Sequence, residues 1–382
     1  MKNITKKLSV LFVLLVAALV VIGAGCAGSQ PNNQTQNKEP IKIGFIGPLT
    51  GDIANLGEIV RDAVQLAENE INAAGGVNGR PVQVIFEDGK CNAKDALNAG
   101  NKLINQDKVK FIVGASCSSE TLAVAPVAEA NKVVMISPVS TNPDITNAGD
   151  YIFRVVPSDS FQGRFVAEYI KNTLGKNVVG VLFNNNDNWS VGVKNEFKKR
   201  FSDLGGRVIV EEGVLSTSND LRSSLLKIKE ANPDLIYAPT LIDFGIVLLK
   251  QAKELGITQT IWGGDAWDDT RVAKGAGVAA EGVHFTVSAN KVLPQAFLDG
   301  MKALVGTDEM NTYAPRAYDA MYIFADTMRK VGVDSEQVKN ALYQLKDYKG
   351  IADDYTMDQN GDVTQATFAI KEFKDGKVVA VQ

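Results

Sequence analysis

The chain has 382 residues, 45% apolar and 22% charged, with a formal net charge of −4. That length favours two domains of ordinary size, and that composition excludes global disorder. An acidic balance with no basic stripe argues against nucleic acid as a partner.

In chain order, "MKNITKK" forms a positive start, and "LSVLFVLLVAALVVIGAG" is an apolar run ending in small residues before Cys26. This is the layout of an export signal over 1–25. "GAGC" followed by a polar spacer is similar to a lipoprotein signal with Cys26 as the lipidated residue, although Gly23 stands where an aliphatic residue is usual. The alternative is an uncleaved anchor, since about 18 apolar residues just span a bilayer. Either way the body lies outside the cytoplasm. Residues 26–40, including "GSQPNNQTQNKEP", read as a flexible tether.

From Ile41 short apolar runs alternate with amphipathic stretches. "IKIGFIG" reads as a strand, and Ile53, Leu56, Ile59, Val60, Ala63, Val64, Ala67 and Ile71 then recur at helical spacing. Gly75 and Gly76 end that helix. "RPVQVIFED", "VKFIVG", "VVMISP" and "YIFRVVPSD" are further strands separated by helical patterns. A second series follows, with strands at "NVVGVLFNNN", "RVIVEEGV", "DLIYAPT" and "QTIWGGD". The last hundred residues hold one strong helical pattern, "APRAYDAMYIFADTMRKVG", and strand patterns at "TFAIKEF" and "KVVAV". Two series of βα units predict two parallel-sheet α/β domains. Ligands of such sheets bind beyond the carboxyl ends of the strands, which singles out Gly47–Thr50, Ser116–Ser119, Val139–Thr141, Asn186–Trp189, Thr240–Asp243 and Gly264–Asp265.

Catalysis finds little support. The one histidine, His284, sits in a predicted strand, and "GASCSS" is not a nucleophile elbow. No zinc, calcium-loop, dinucleotide or Walker pattern occurs, so neither metal nor cofactor is expected. Cys91 and Cys117 each follow a predicted strand, and an exported body favours a disulfide between adjacent loops, with free thiols as the alternative. Ser118 and Ser119 lie where a helix begins. There a hydroxyl and unpaired N–H groups suit a carboxylate, or a serine simply caps its helix.

At this point "IGFIGPLTGDIANLGEIVRDAVQLAENEINAAGGVNGRPVQVIFEDGKCNAKDA" and "FIVGASCSSETLAVAPVAEANKVVMISPVSTNP" matter together. From about Ile41 onwards the chain resembles the Leu/Ile/Val-type substrate-binding proteins of ABC importers, with the type I periplasmic binding fold. The "AEGVHFTV" and "YDAMYIFADTMRKVG" segments add support. The resemblance implies a Cys91–Cys117 disulfide. It implies Ser118 on the α-carboxylate of an amino acid, the Val139 carbonyl, and Thr141 touching both charged ends. It further implies Asp265 on the α-ammonium, Trp189 and Tyr313 flanking the side chain, and Leu56 closing over it. Leu241 departs from the aromatic residue that several members carry there, which suggests an apolar pocket and leaves the side chain open.

The expectation is therefore two Rossmann-like α/β lobes joined by three hinge crossings. Lobe one would comprise 41–159 and 289–355, and lobe two 160–288 and 356–382. The protein would bind an amino acid without chemistry, as a monomer at the outer face of the cytoplasmic membrane, and present it to ABC permease subunits. The rival expectations are a binder of an amide, urea or other small polar solute, a sensory ligand-binding protein, or a hydrolase using Ser118 or Cys117.

Overall fold

A computed structural model of the chain describes residues 39–306 and 310–381. The export signal, Cys26 and all but Glu39 and Pro40 of the tether lie outside the described residues.

The first lobe is built on β1 (Ile41–Gly47), β2 (Val82–Asp88), β3 (Phe111–Gly114), β4 (Val134–Ser137) and β5 (Ile152–Arg154). They form one parallel sheet in the order β2-β1-β3-β4-β5. Every residue of β3 and β4 is buried, as expected of central strands covered on both faces. One face is covered by α1 (Ala54–Ala73), whose Ile59, Val60, Ala63, Val64, Ala67 and Ile71 point into the core as their spacing predicts. The other face carries α2 (Ala93–Asn101) and α3 (Ser118–Ala130).

The second lobe follows with α4 (Asp159–Glu168), β6 (Val178–Asn184), α5 (Asn188–Asp203), β7 (Arg207–Val214) and α6 (Arg222–Ala231). Then come β8 (Leu235–Ala238), α7 (Ile242–Glu254), β9 (Thr260–Gly263), α8 (Thr270–Ala276) and β10 (His284–Ser288). The chain returns to the first lobe as α9 (Gln295–Val305), α10 (Ala314–Val331), α11 (Ser335–Leu342) and a small hairpin of β11 (Tyr348–Lys349) and β12 (Asp354–Tyr355). Finally β13 (Phe368–Lys374) and β14 (Lys377–Ala380) complete a second sheet, ordered β14-β13-β10-β9-β8-β6-β7.

Four expectations need correction. The second sheet is mixed, because β13 runs antiparallel to β10 and β14 antiparallel to β13. The lobe boundary at 356 falls too early: Met357 and Val363 pack in the first lobe's core and Asp362 pairs with Arg154 of β5, so the chain crosses only after them. The last third also holds α9 and α11, whose short patterns went unread beside α10. Finally, the disulfide does not join loops of neighbouring strands. β1 lies between β2 and β3, and the loop after β2 folds over the end of β1, with the Gly89 N–H on the Gly47 carbonyl at 2.9 Å.

That fold-over brings the Cys91 and Cys117 Cα atoms to 5.3 Å and the sulfurs into a disulfide. Glu120 repeats the tie without covalent bonds, its two carboxylate oxygens each accepting a backbone N–H, from Cys91 and from Cys117, at 2.8 Å. His284, stacked on Trp262 at 5.2 Å, is a packing residue of the second sheet. Replacing both Cys91 and Cys117 by serine is expected to lower unfolding free energy by roughly 3 kcal/mol, the chain-entropy value for a loop of this size. Denaturant titration measures it, and an unchanged midpoint would show that Glu120 alone suffices.

Candidate functional site

The carboxyl ends of the two sheets face a common cavity. In the first sheet the order reverses at β1, between β2 and β3, and in the second at β6, between β8 and β7, so both lobes contribute the loops of a topological switch point. About 480 Å³ of this cavity is free of protein atoms, open solvent included, and about 50 Å³ of it admits the centre of a water molecule. Ser118, Val139, Thr141, Asp265, Trp189, Tyr313, Leu56 and Leu241 all line it, together with Cys91 and Cys117. Residues scattered over more than 250 positions of sequence therefore meet at one place.

At one end, Ser118 is the first residue of α3 and is buried. Neither Ser118 nor Ser119 caps that helix, since Cys117 holds the capping position. Ser119 Oγ instead donates to the Cys91 carbonyl at 3.1 Å, while Ser118 Oγ accepts the Asn142 N–H at 3.2 Å. A buried hydroxyl thus lines the cavity at a helix N-terminus, where the first N–H groups have no partner within the helix.

The other end is acidic. Asp265 follows β9 and is buried, with Oδ2 accepting the Tyr313 hydroxyl at 2.5 Å and Oδ1 left without a hydrogen-bond partner. Burial pushes its carboxyl up to about 6. Asp159, the first residue of α4, has no exposed surface and does not itself line the cavity; it lies beside Thr141, whose hydroxyl, with the charge of Arg154, offsets part of its burial. Burial and then the charge of Asp265 hold it well above the usual carboxylate range. The Tyr237 hydroxyl is buried without a partner, and the Asp159 and Asp265 charges add to burial in raising it. Asp187 also lines the cavity, capping α5 through the Ser190 N–H at 2.8 Å, and burial lifts it to about 6.

Between these ends the walls are apolar: Ile53, Leu56, Trp189, Leu241, Ile242, Ala266 and the disulfide. Trp189 lies against Gly264, where any Cβ would come within 2.9 Å of the indole, so only glycine lets the ring sit this deep. Ile53, from the first lobe, packs in the second lobe's core. Tyr313 belongs to the first lobe's core and also reaches Asp265 across the cavity. At the rim Arg271 Nη1 donates to the Asp52 carbonyl at 2.9 Å, and Asn55 donates to Asp269 at 3.1 Å. The lobes are therefore closed on one another.

Sequence reading missed Asp159, Ile53 and Ala266, whereas Asp187 and Ile242 fall inside the post-strand ranges Asn186–Trp189 and Thr240–Asp243 without being singled out. The signal for Asp159 was present: "PSDSF" ends a strand and opens a helix. Reading "YIFRVVPSD" as one long strand hid that post-strand position, for β5 ends at Arg154.

A two-lobed α/β fold with a small-molecule cavity between the sheets defines a solute-binding protein of the hinge-closing class. The family described as "Periplasmic binding protein" matches residues 40–377, and the chain belongs to it. The chain is 30% identical to the leucine-, isoleucine-, valine-, threonine- and alanine-binding protein of Pseudomonas aeruginosa, over 98% of this chain and 97% of that one. Its fold is similar to the leucine-binding protein LivK of Thermotoga maritima, at TM-score 0.84 and 30% identity, covering 90% and 98% of the two chains. It is also similar to the branched-chain amino acid transporter substrate-binding protein LivJ of Streptococcus pneumoniae, solved with isoleucine, at TM-score 0.82 and 28% identity, covering 89% and 98%. The family places the body outside the cytoplasm.

A raised carboxyl destabilises the ligand-free fold once it ionises. Its contribution is intact below the unfolded value of 3.8 and is lost as pH rises through about 6. Asp265→Asn keeps the acceptor for Tyr313 and removes the charge. It is expected to stabilise the ligand-free protein at pH 8 by on the order of 2 kcal/mol and to leave it nearly unchanged at pH 4. Thermal melts at the two pH values measure this, and equal shifts at both would contradict it.

Proposed function

We propose that this protein is the solute-binding component of an ABC importer and that it binds an α-amino acid with an aliphatic side chain, without chemical turnover. The observation that carries the reading is Asp265, a buried carboxylate on the cavity wall whose Oδ1 has no partner, with Asp159 buried beside it and no cation among the described residues lining the cavity. An α-ammonium supplies the missing charge, with the Thr141 hydroxyl oxygen and the Val139 carbonyl completing the acceptors for its three N–H groups. Ser118 and the N-terminus of α3 receive the α-carboxylate. The side chain then lies among Leu56, Trp189, Leu241 and the disulfide, with Asp187 of the cavity lining engaged in capping α5. This apolar wall supports leucine, isoleucine or valine over polar amino acids, in keeping with what the similar proteins are named for.

Export through the N-terminal segment, lipidation at Cys26 and delivery to membrane permease subunits complete the proposal, with the protein acting as a monomer. Closure of the lobes over the ligand is the state a permease reads, because a ligand touching both lobes stabilises closed over open.

A thermal-shift screen of the body from Glu39 onwards against the common amino acids tests the reading. A ligand at about 100 times its Kd adds about 2.7 kcal/mol, so leucine, isoleucine or valine is expected to raise the melting temperature by about 5 °C. No shift from any amino acid at millimolar concentration would contradict it. An amide or urea binder needs no anionic partner, so Asp265→Ala would leave its affinity nearly unchanged. For an amino acid the same change is expected to cost about a hundredfold or more, the loss of a buried ion pair.

A further inference from the structure

Arg154 ends β5, and its side chain has no exposed surface. Nε and Nη2 donate to the two carboxylate oxygens of Asp362 at 2.6 and 2.7 Å. Nη1 donates to the carbonyls of Thr141 and Asn142, both at 2.9 Å. Nη2 also reaches Thr146 Oγ1 at 2.7 Å, and that hydroxyl donates in turn to Asp362 Oδ2 at 2.7 Å. The backbone joins in: the Arg154 N–H donates to the Gly361 carbonyl at 3.1 Å, and the Asp159 N–H donates to the same Thr141 carbonyl at 2.8 Å.

One guanidinium thus ties together three segments. They are the loop after β4 that carries Thr141, the first crossing that ends at Asp159, and the stretch that leads into the third crossing. Arg154 and Asp362 are 208 residues apart in sequence. Net stability is a weak reason for such a pair, because apolar residues of similar volume often hold a core as well. What a two-pronged guanidinium–carboxylate contact supplies is fixed geometry.

We infer that Arg154 and Asp362 are positioning residues for the ammonium end of the site. They fix the Thr141 carbonyl, and through it the Thr141 hydroxyl and the start of α4 at Asp159, in the register needed when the lobes close. The inference rests on the amino-acid reading above, in which Thr141 meets the α-ammonium and Asp159 lies behind Asp265.

The test is calorimetric titration of leucine and of isoleucine into the wild-type protein, Asp362→Asn, Thr141→Ala and the double variant, with ligand-free melts of each. Asp362→Asn is expected to weaken both amino acids by the same factor, about tenfold, as for loss of a charge-assisted contact. In the Thr141→Ala background the same change is expected to cost less, about threefold, because the share acting through the Thr141 hydroxyl is gone while the share acting through Asp159 remains. A merely structural pair would lower the melting temperature and leave affinity at the wild-type value. A pair acting elsewhere would give the full tenfold loss in both backgrounds. Either result overturns the inference. Thr146→Val removes one contact at the edge of the network and is expected to cost about threefold with the same dependence on Thr141. It carries the test if Asp362→Asn does not fold. If the wild-type protein binds neither amino acid, the amino-acid reading is what fails. If it binds both and the variants bind equally well, only the positioning role is lost.

Discussion

Asp159 and Asp265 bring two carboxylates into the protein interior beside one another, and nothing among the described cavity-lining residues neutralises them. Such an arrangement is costly, since burial and like charge both oppose ionisation. Of the two, Asp265 lines the cavity, where a small cation can meet it, while Asp159 lies behind it with Arg154 offsetting part of its charge. Asp159 comes from the first crossing and Asp265 from the end of a second-lobe strand, while Tyr313, bonded to Asp265, stands on a first-lobe helix. A ligand that neutralises the pair therefore acts at the seam between the lobes, where its binding energy favours the closed arrangement.

The hinge is itself reinforced by buried polar contacts. The second and third crossings bond to one another through the Ala289 N–H on the Thr367 carbonyl, and the Lys291 N–H on the Ala352 carbonyl ties the second crossing to the first lobe's hairpin. Arg316, fully buried on α10, donates to the carbonyls of Ala289 and Thr312, and Asp319 on the same helix accepts the Ile351 and Ala352 N–H groups. Arg154 does the corresponding work for the first crossing. Charged residues placed so deeply contribute defined geometry more than stability, and a hinge that must reproduce one closed register needs that geometry.

Much of this was legible in the sequence. Alternation of apolar runs and 3.6-residue periodicity located the β1–β10 series, because buried parallel strands and amphipathic helices leave strong local patterns. The post-strand rule and the family resemblance together placed all eight candidate ligand residues on one cavity wall or another. What escaped were features set by distant packing. The C-terminal strands were expected in the second lobe, but no local pattern records that β13 and β14 run antiparallel in a sheet whose other strands end 80 residues earlier. The stretch from Thr356 to Val363 reads as a polar turn, and only its contacts with β5 assign it to the first lobe. Cys91 and Cys117 were paired correctly for an incomplete reason, since the intervening β1 was not foreseen. Asp159 was missed because the end of β5 was drawn too late.

The central claim is that the carboxylate pair holds a proton when the cavity is empty and exchanges it for an ammonium when a ligand enters. Titrating leucine at pH 6 in buffers of different ionisation enthalpy counts the protons exchanged on binding. The account predicts net proton release at pH 6, of which the share from Asp265 shrinks as pH rises above about 6. Tight leucine binding with no proton released at pH 6 would contradict it.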